Sequence, residues 1–529
     1  LSGQPDGATN VKQTEVPILI IGGGAAGTVL SVELARQGVE FRVVDRLSGP
    51  PVTSRAIAVH ARTLEMIDRI DRNLTLTLLE RGIHNKGYVL HFVDADGRRS
   101  EVRPGIDFTR IDCEYPFILV HGQSDTENLL RDYMKENYGR AIEWGAQCVD
   151  VKRQEGAVTA TLQHTSGRTE VVNCEYLVAC DGINSTVRST LSVSQKESDY
   201  PGTVLQNMDV FLNGFPDVDD YIHYCAGTDH FIMIVRLPGG FYRLLLSDRG
   251  ESAGPNVTPE EGFMRLVDRH FDGVSLGDLV WHSKWESWVR LADTYREGNV
   301  LLAGDSAHVH STTGGQGMNC CMQDAANLGW KLGLVQRGLA DPALLDTYEA
   351  ERKPIAEQVI WAASALHDIF MGHGKDITER AAKISDPEFL EAVVGRCSGI
   401  SYTYRDYVAQ PDGVRGFEGA MVGDRAADVR LGPGRSLYDL IRHTEFTLVA
   451  FTASSGQREL KKVVNAVEHR FDGAVVGHLE RLTEEISRRY GYSDDGVLLL
   501  IRPDGYIAHR CVGAEAPSVD ACLSRILRR

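Results

Sequence analysis

A chain of 529 residues, 43% hydrophobic and 24% charged, is long enough for two or three globular domains. Its formal charge of −17 excludes nucleic acid as a main partner, which would require a basic face. The composition fits a cytoplasmic enzyme, and no apolar run of about 18 residues marks a membrane-spanning helix. The 10 cysteines include no CxxC pair and no Cys/His spacing suited to a metal, so they read as reduced or buried thiols and no metal site is expected.

Residues 1–15 are polar and lack the apolar core of a signal peptide, so they read as a disordered lead-in. The apolar run 16–21 (VPILII) predicts a buried strand. Gly22, Gly24 and Gly27 follow and open a helix, and a second strand, 41–45, ends in Asp45. Strand, glycine loop, helix and acid in this order form a dinucleotide fingerprint: one glycine turns the chain, one lets the backbone approach a pyrophosphate, and one lets helix and strand pack. The fingerprint alone does not separate FAD from NAD. Arg55 can serve a diphosphate or the active site, or simply lie at the surface. Residues 88–110 alternate like strands of another sheet. The run 116–122 leads into a helix at Gln123, whose side chain can bind a ligand or cap the helix. A further apolar strand, 176–179, delivers Asp181 and Gly182 to a loop.

From about residue 200 to 295 the pattern is β, a sheet suited to one wall of a substrate pocket. His223 and Tyr224 point to opposite faces of their strand, so at most one faces that pocket. Next comes the apolar run 300–303, ending in Gly304-Asp305, then a loop through Gly314, Gly315 and Gly317, then a helix. A glycine loop opening a helix exposes free N–H groups and the positive end of the helix dipole, a seat for something electron-rich. A long helix follows Asp341-Pro342, with a kink or break expected near Pro354. From about 420 an αβ series forms a separate small domain.

Three motifs in order, GGGAAG at 22–27, CDGINSTVR at 180–188 and AGDSAH with GGQGMN at 303–319, make the chain resemble the single-component flavoprotein aromatic hydroxylases. The segments 221–224 (YIHY), 371–375 (MGHGK) and 401–406 (SYTYRD) are similar to those of the pentachlorophenol and chlorophenol-type monooxygenases, with aromatic polyketide hydroxylases as near relatives. The resemblance implies an α/β fold: a GR2-type Rossmann-like FAD domain (16–90, 115–200 and 295–375), a β-sheet substrate domain (91–114, 201–294 and 376–419) and a thioredoxin-like C-terminal domain (420–529) without CxxC.

It further implies that Gly22, Gly24, Gly27 and Asp45, with Ala26 and Arg46, hold the ADP half of FAD. Arg55 and Gln123 would lie beside the flavin, and Asp181 and Gly182 in a motif shared by FAD and the nicotinamide donor. Gly304 and Asp305 would meet the pyrophosphate or ribityl region. Gly315, Gly317, Met318 and Asn319 would face the flavin edge, where the helix dipole favours the reduced anion. NADPH or NADH would reduce FAD, dioxygen would add to give a flavin C4a-hydroperoxide, and a small phenolic or hydroxy-heteroaromatic ring would be hydroxylated as its phenolate. His223, Tyr224, Arg236 and Tyr404 are candidates to hold that ring, each with packing or surface exposure as the alternative role. Dimerisation is a further family expectation. Relatives carry Pro in the loop where this chain has Ser311-Thr312-Thr313. Another class of function, binding or sequestering a reactive aromatic intermediate, also fits a flavoprotein of this kind. A flavin halogenase does not, because Trp285-Glu286-Ser287-Trp288 departs from WxWxIP.

Overall fold

The computed structural model describes residues 12–154, 156–197, 203–216, 220–248, 257–372, 376–408, 419–453, 457–491 and 493–528. His373–Lys375, part of one segment similar to chlorophenol-type enzymes, and 409–418 of the expected substrate domain lie outside the described residues.

The three motif strands are neighbours. In an eight-stranded sheet, Lys12–Ile21 runs parallel to Phe41–Asp45 on one side and Thr169–Ala179 on the other, and Thr169–Ala179 runs parallel to Val300–Leu302. Ile21 pairs with both Val44 and Ala179, and Ala179 with Leu302, so the three strand-to-loop turns leave the sheet at one edge. The centre of the sheet is fully buried, as expected of parallel strands covered by helices. The first strand begins at Lys12, four residues before its apolar run, because Lys12–Glu15 continue the ladder opposite Glu170–Asn173. Ala25–Arg36 packs on Gly317–Gln336, and a Cβ on Gly329 would lie 2.6 Å from Glu33, so the two helices approach as only a glycine allows.

A second sheet of seven strands has the order Ser275–Ser287, Thr203–Asn213, Tyr242–Asp248, His230–Arg236, Tyr221–Ala226, Gly87–Val93, Arg99–Asp107. Gly87–Val93 pairs with Tyr221–Ala226, so the expected boundary at residue 90 falls inside a strand of this sheet. One face carries Tyr88, Tyr224, Phe231 and Met233 and meets Phe370 and Leu366. The other is covered by the helix Pro259–His270, inside the stretch whose sequence pattern reads as β. Its signal is present locally: Thr258 and Glu261 form a capping box around Pro259.

The helix Asp346–Phe370 continues through Pro354, so the expected break is absent, and buried residues run along its whole length. The C-terminal unit is a four-stranded sheet, Val475–Arg481, Phe446–Thr452, Val497–Ile501, Ile507–Val512, with the helices Gln457–Arg470 and Ala516–Ile526. It is joined to the rest through buried charge: Arg502 donates to Glu351 at 2.7 and 2.9 Å, Lys331 donates to Glu351 at 2.8 Å, and Arg62 donates to the Asp504 carbonyl at 2.7 Å. All 10 cysteines are free, and among the described residues no helix is long and apolar enough to cross a membrane.

Candidate active site

Three glycines of the first loop do different work. Gly22 has φ +103°, and a Cβ there would lie 2.2 Å from the Cys180 carbonyl oxygen. A Cβ on Gly27 would lie 1.9 Å from the Gly22 carbonyl oxygen, so this glycine lets helix and strand close together. At Gly24 a Cβ would meet nothing within 4 Å. Gly24 also caps Ala25–Arg36 without a side-chain hydrogen bond, and the first turn of that helix has no acid. Free N–H groups, a positive dipole end and open space suit an anionic group. Beside it, the Asp45 carboxylate accepts from the backbone N–H of Gly23 at 2.7 Å and of Leu47 at 2.8 Å, one on each oxygen, leaving lone pairs for hydroxyl donors. Arg131 donates to the Gly23 carbonyl at 2.9 Å and pairs with Glu127, to which Gln123 donates at 2.8 Å. Gln123 therefore heads a polar chain leading to the glycine loop.

The second motif braces the third. Asp181 accepts from the N–H groups of Thr186 and Val187 at 2.8 and 3.3 Å, and Arg188 donates to the carbonyls of Ile183 and Ser306, both at 2.8 Å. Burial pushes the Asp181 carboxyl up despite these donors. Gly182, at φ +81°, has open space around it. Gly304, at φ +65°, lies against Ala26 and Cys321, and the Asp305 carboxylate is exposed at the sheet edge, with the Cys321 thiol donating to it at 3.2 Å.

The helix Gly317–Gln336 also starts without a side-chain cap or an acid in its first turn. Asn319 fixes its position by accepting from His60 N–H at 2.9 Å and donating to the carbonyls of Ala58 at 2.8 Å and Gly315 at 2.9 Å. The loop before it is clamped at Gly314. His60 Nε2 lies 2.9 Å from the Gly314 carbonyl oxygen, and Tyr224 shares an apolar cluster with Leu366, which lies against Gly314. Tyr88 and Tyr224 stack at 4.4 Å, and Phe370 lies 4.7 Å from Tyr224. Around this loop, four buried polar atoms have no protein partner: His60 Nδ1, His310 Nε2, Thr312 Oγ1 and Gln316 Nε2. Unpaired buried polar atoms gathered at one loop call for partners that the protein itself does not supply.

Residues 15–363 match the FAD binding domain family, and residues 419–529 match the aromatic-ring hydroxylase C-terminal family. The chain belongs to the FAD-dependent aromatic-ring hydroxylases. It is 36% identical to a pentachlorophenol 4-monooxygenase of Sphingobium chlorophenolicum, covering 97% of this chain and 98% of that one. It is 33% identical to a 6-methylpretetramide 4-monooxygenase of Streptomyces rimosus, covering 93% and 90%. The solved anhydrotetracycline hydroxylase OxyS of Streptomyces rimosus superposes with a TM-score of 0.76 at 28% identity, over 97% of this chain and 99% of that one. The glycine clearances and the two uncapped helix starts fit FAD, the cofactor of this family.

The hydroxylase sheet separates the four ring candidates. Tyr224 lies on the face toward the Gly314 loop. His223 lies on the opposite face, 3.0 Å from His91 and packed against Phe215 and Phe271 under the helix Pro259–His270. Burial lowers its pKa to about 3. Arg236 shares the strand face of Ile232 and Ile234, again away from Tyr224, and is exposed at the strand end. Tyr404 is fully buried in the network beneath the C-terminal unit, accepting from Arg352 at 3.2 Å and packing on Tyr506 at 4.3 Å. Arg46 and Arg55 are exposed. On the Tyr224 side of the sheet the structure adds a pair that sequence reasoning misses. Arg243 donates to both Asp209 oxygens at 2.7 Å and to the Arg55 carbonyl at 3.0 Å. Its local signal is one arginine directly before an apolar run, Leu244–Leu246, in its strand.

Proposed function

We propose that this hydroxylase is an FAD-dependent monooxygenase using NADPH or NADH, and that it hydroxylates a phenolic or hydroxy-heteroaromatic ring. The observation carrying this reading is the aromatic wall of Tyr88, Tyr224 and Phe370 set against the Gly314 loop and its unpaired polar atoms. Gly22, Gly24, Gly27 and Asp45 bind the ADP half of FAD, with Gln123 reaching the loop through Glu127 and Arg131. Asp305 meets the hydroxyl-rich middle of the cofactor. The start of Gly317–Gln336 lies at the flavin and favours negative charge there. Bound FAD, reduced by the nicotinamide and exposed to dioxygen, supplies the electrophilic oxygen for the ring. The Tyr88, Tyr224 and Phe370 rings exclude water. Burial raises the Tyr224 pKa, so its hydroxyl keeps its proton and can donate it to the substrate oxygen. The parallel strand order supports a GR2-type Rossmann-like FAD domain, and the αβ order of residues 420–529 supports a thioredoxin-like domain.

The test is NAD(P)H oxidation by the purified yellow protein across phenols, hydroxypyridines and aromatic polyketides, with product masses recorded. One ring class should stimulate oxidation and gain one oxygen. Tight binding of a ring with no stimulated oxidation across the panel replaces this reading with a binding role.

Two variants check the parts. Asp305→Ala should weaken FAD by about 10- to 100-fold, the range for losing a hydrogen bond to a charged group, read by fluorescence titration of the apoprotein. Unchanged affinity removes Asp305 from the site. Tyr224→Phe should leave FAD affinity unaltered and lower the yield of product per NAD(P)H about tenfold, a loss of about 1.4 kcal/mol of ring positioning. Wild-type coupling in that variant removes Tyr224 instead.

A further inference from the structure

His60 is fully buried at the start of the helix Ala61–Ile70, and its ring is fixed in one state. Nε2 lies 2.9 Å from the Gly314 carbonyl oxygen. A carbonyl only accepts, so Nε2 carries the proton and Nδ1 presents a lone pair. That Nδ1 is buried and has no protein partner. Leaving such an acceptor unpaired is unfavourable, and a donor from a ligand would recover that cost. The surroundings place the ligand. His60 lies 5.8 Å from the Phe108 ring, Phe108 lies 5.5 Å from Tyr88, and Tyr88 stacks on Tyr224. His60 holds the carbonyl of Gly314, and Leu366 links that residue to the cluster containing Tyr224. Burial lowers the His60 pKa to about 4, so its lone pair is present at neutral pH.

We propose that His60 Nδ1 accepts the hydrogen bond of the substrate's ring hydroxyl, so that the pocket admits a ring carrying an un-ionised O–H and rejects the same ring without it. This rests on the aromatic-hydroxylase reading above. The hydroxyl would use both its functions: its proton meets Nδ1, and its oxygen lone pairs meet the Tyr224 and Thr312 hydroxyls. A phenolate has no proton to offer and would set negative charge against the Nδ1 lone pair. The ring therefore docks protonated. No proton changes owner in the docking step.

The test compares 2,4-dichlorophenol with 1,3-dichlorobenzene, binding to the FAD-loaded protein without nicotinamide and read by the change in flavin absorbance. Wild type should prefer the phenol by at least about tenfold. In His60→Phe the preference should fall below about threefold with FAD affinity unchanged. His60→Gln, whose amide can donate to Gly314 while its oxygen accepts, should keep most of it. Undiminished preference in His60→Phe overturns the proposal, as does a loss of FAD affinity with the preference kept, which would pair Nδ1 with the flavin instead.

A measurement on wild type alone guards against a variant that does not fold. Affinity for the phenol should fall as pH rises through the phenol's own pKa, and a rise there also overturns the proposal. Failure of the wider reading looks different, because then no ring class stimulates NAD(P)H oxidation. If stimulation holds and the preference survives in His60→Phe, only the role of His60 fails.

Discussion

Gly24→Ala is expected to fold and melt like wild type and yet to bind FAD about 10- to 100-fold more weakly. A Cβ at this position meets no protein atom within 4 Å, so the folded protein without cofactor has nothing to lose. The same position caps an unsatisfied helix start, where the pyrophosphate would come closest to the backbone. Inserting a methyl group into that approach costs about 1–3 kcal/mol, as overpacking does elsewhere. Gly27→Ala provides the contrast. Its Cβ would lie 1.9 Å from the Gly22 carbonyl oxygen, so it should damage stability and FAD binding together. Thermal melts of the apoproteins and fluorescence titration with FAD separate the two effects. If Gly24→Ala binds FAD as wild type does, the cofactor does not approach this loop.

Asp324→Ala should lose about 3–5 kcal/mol of stability, the cost of stripping a buried charge from its partners. Asp324 is fully buried on the helix that begins at Gly317, and it accepts from His308 at 2.6 Å, from Arg352 at 2.7 Å and from the Gly304 N–H at 3.3 Å. Arg352 continues to Tyr404, so one carboxylate ties the loop carrying Asp305 to the interior beneath the C-terminal unit. Removing it leaves two cationic side chains buried together. Denaturant midpoints of wild type and variant measure the loss, and a change below about 1 kcal/mol would mean the cluster relaxes without Asp324.

The same cluster has a pH signature. Burial raises the Asp324 carboxyl, but Arg352 and His308 outweigh burial and hold it below the ordinary carboxylate range. A depressed native pKa adds stability that is complete above the unfolded-state value and is lost as pH falls through the native value. Wild type should therefore lose stability on acidification more steeply than Asp324→Ala, measured as melting temperature against pH. Parallel acid limbs would assign that sensitivity to other carboxylates.

Tyr404 illustrates how far a motif reaches. The segment 401–406 points to a substrate contact, yet the side chain is enclosed by Arg352, Asn327 and Tyr506 in the polar interior. Sequence similarity there reports a shared docking of the C-terminal unit as readily as a shared pocket. His223 and Tyr224 make the complementary point. Strand alternation requires that they face opposite ways, and only the position of the helix Pro259–His270 settles that His223 is the one turned from the Gly314 loop.

Everything legible in the sequence is local. Glycine spacing after an apolar run constrains φ and close approach within about six residues, so the glycine loop at Gly22–Gly27, the helix start at Gly317 and the acids Asp45 and Asp305 can be read from spacing alone. The family follows from three such units in order. Every pairing across distance belongs to the folded chain instead. The fold sets the register that brings Ile21, Ala179 and Leu302 to one edge, the Arg243–Asp209 pair across neighbouring strands, and the meeting of His60 with Gly314, 254 residues apart. No local propensity encodes these contacts, because each depends on which surfaces the whole chain can bury together.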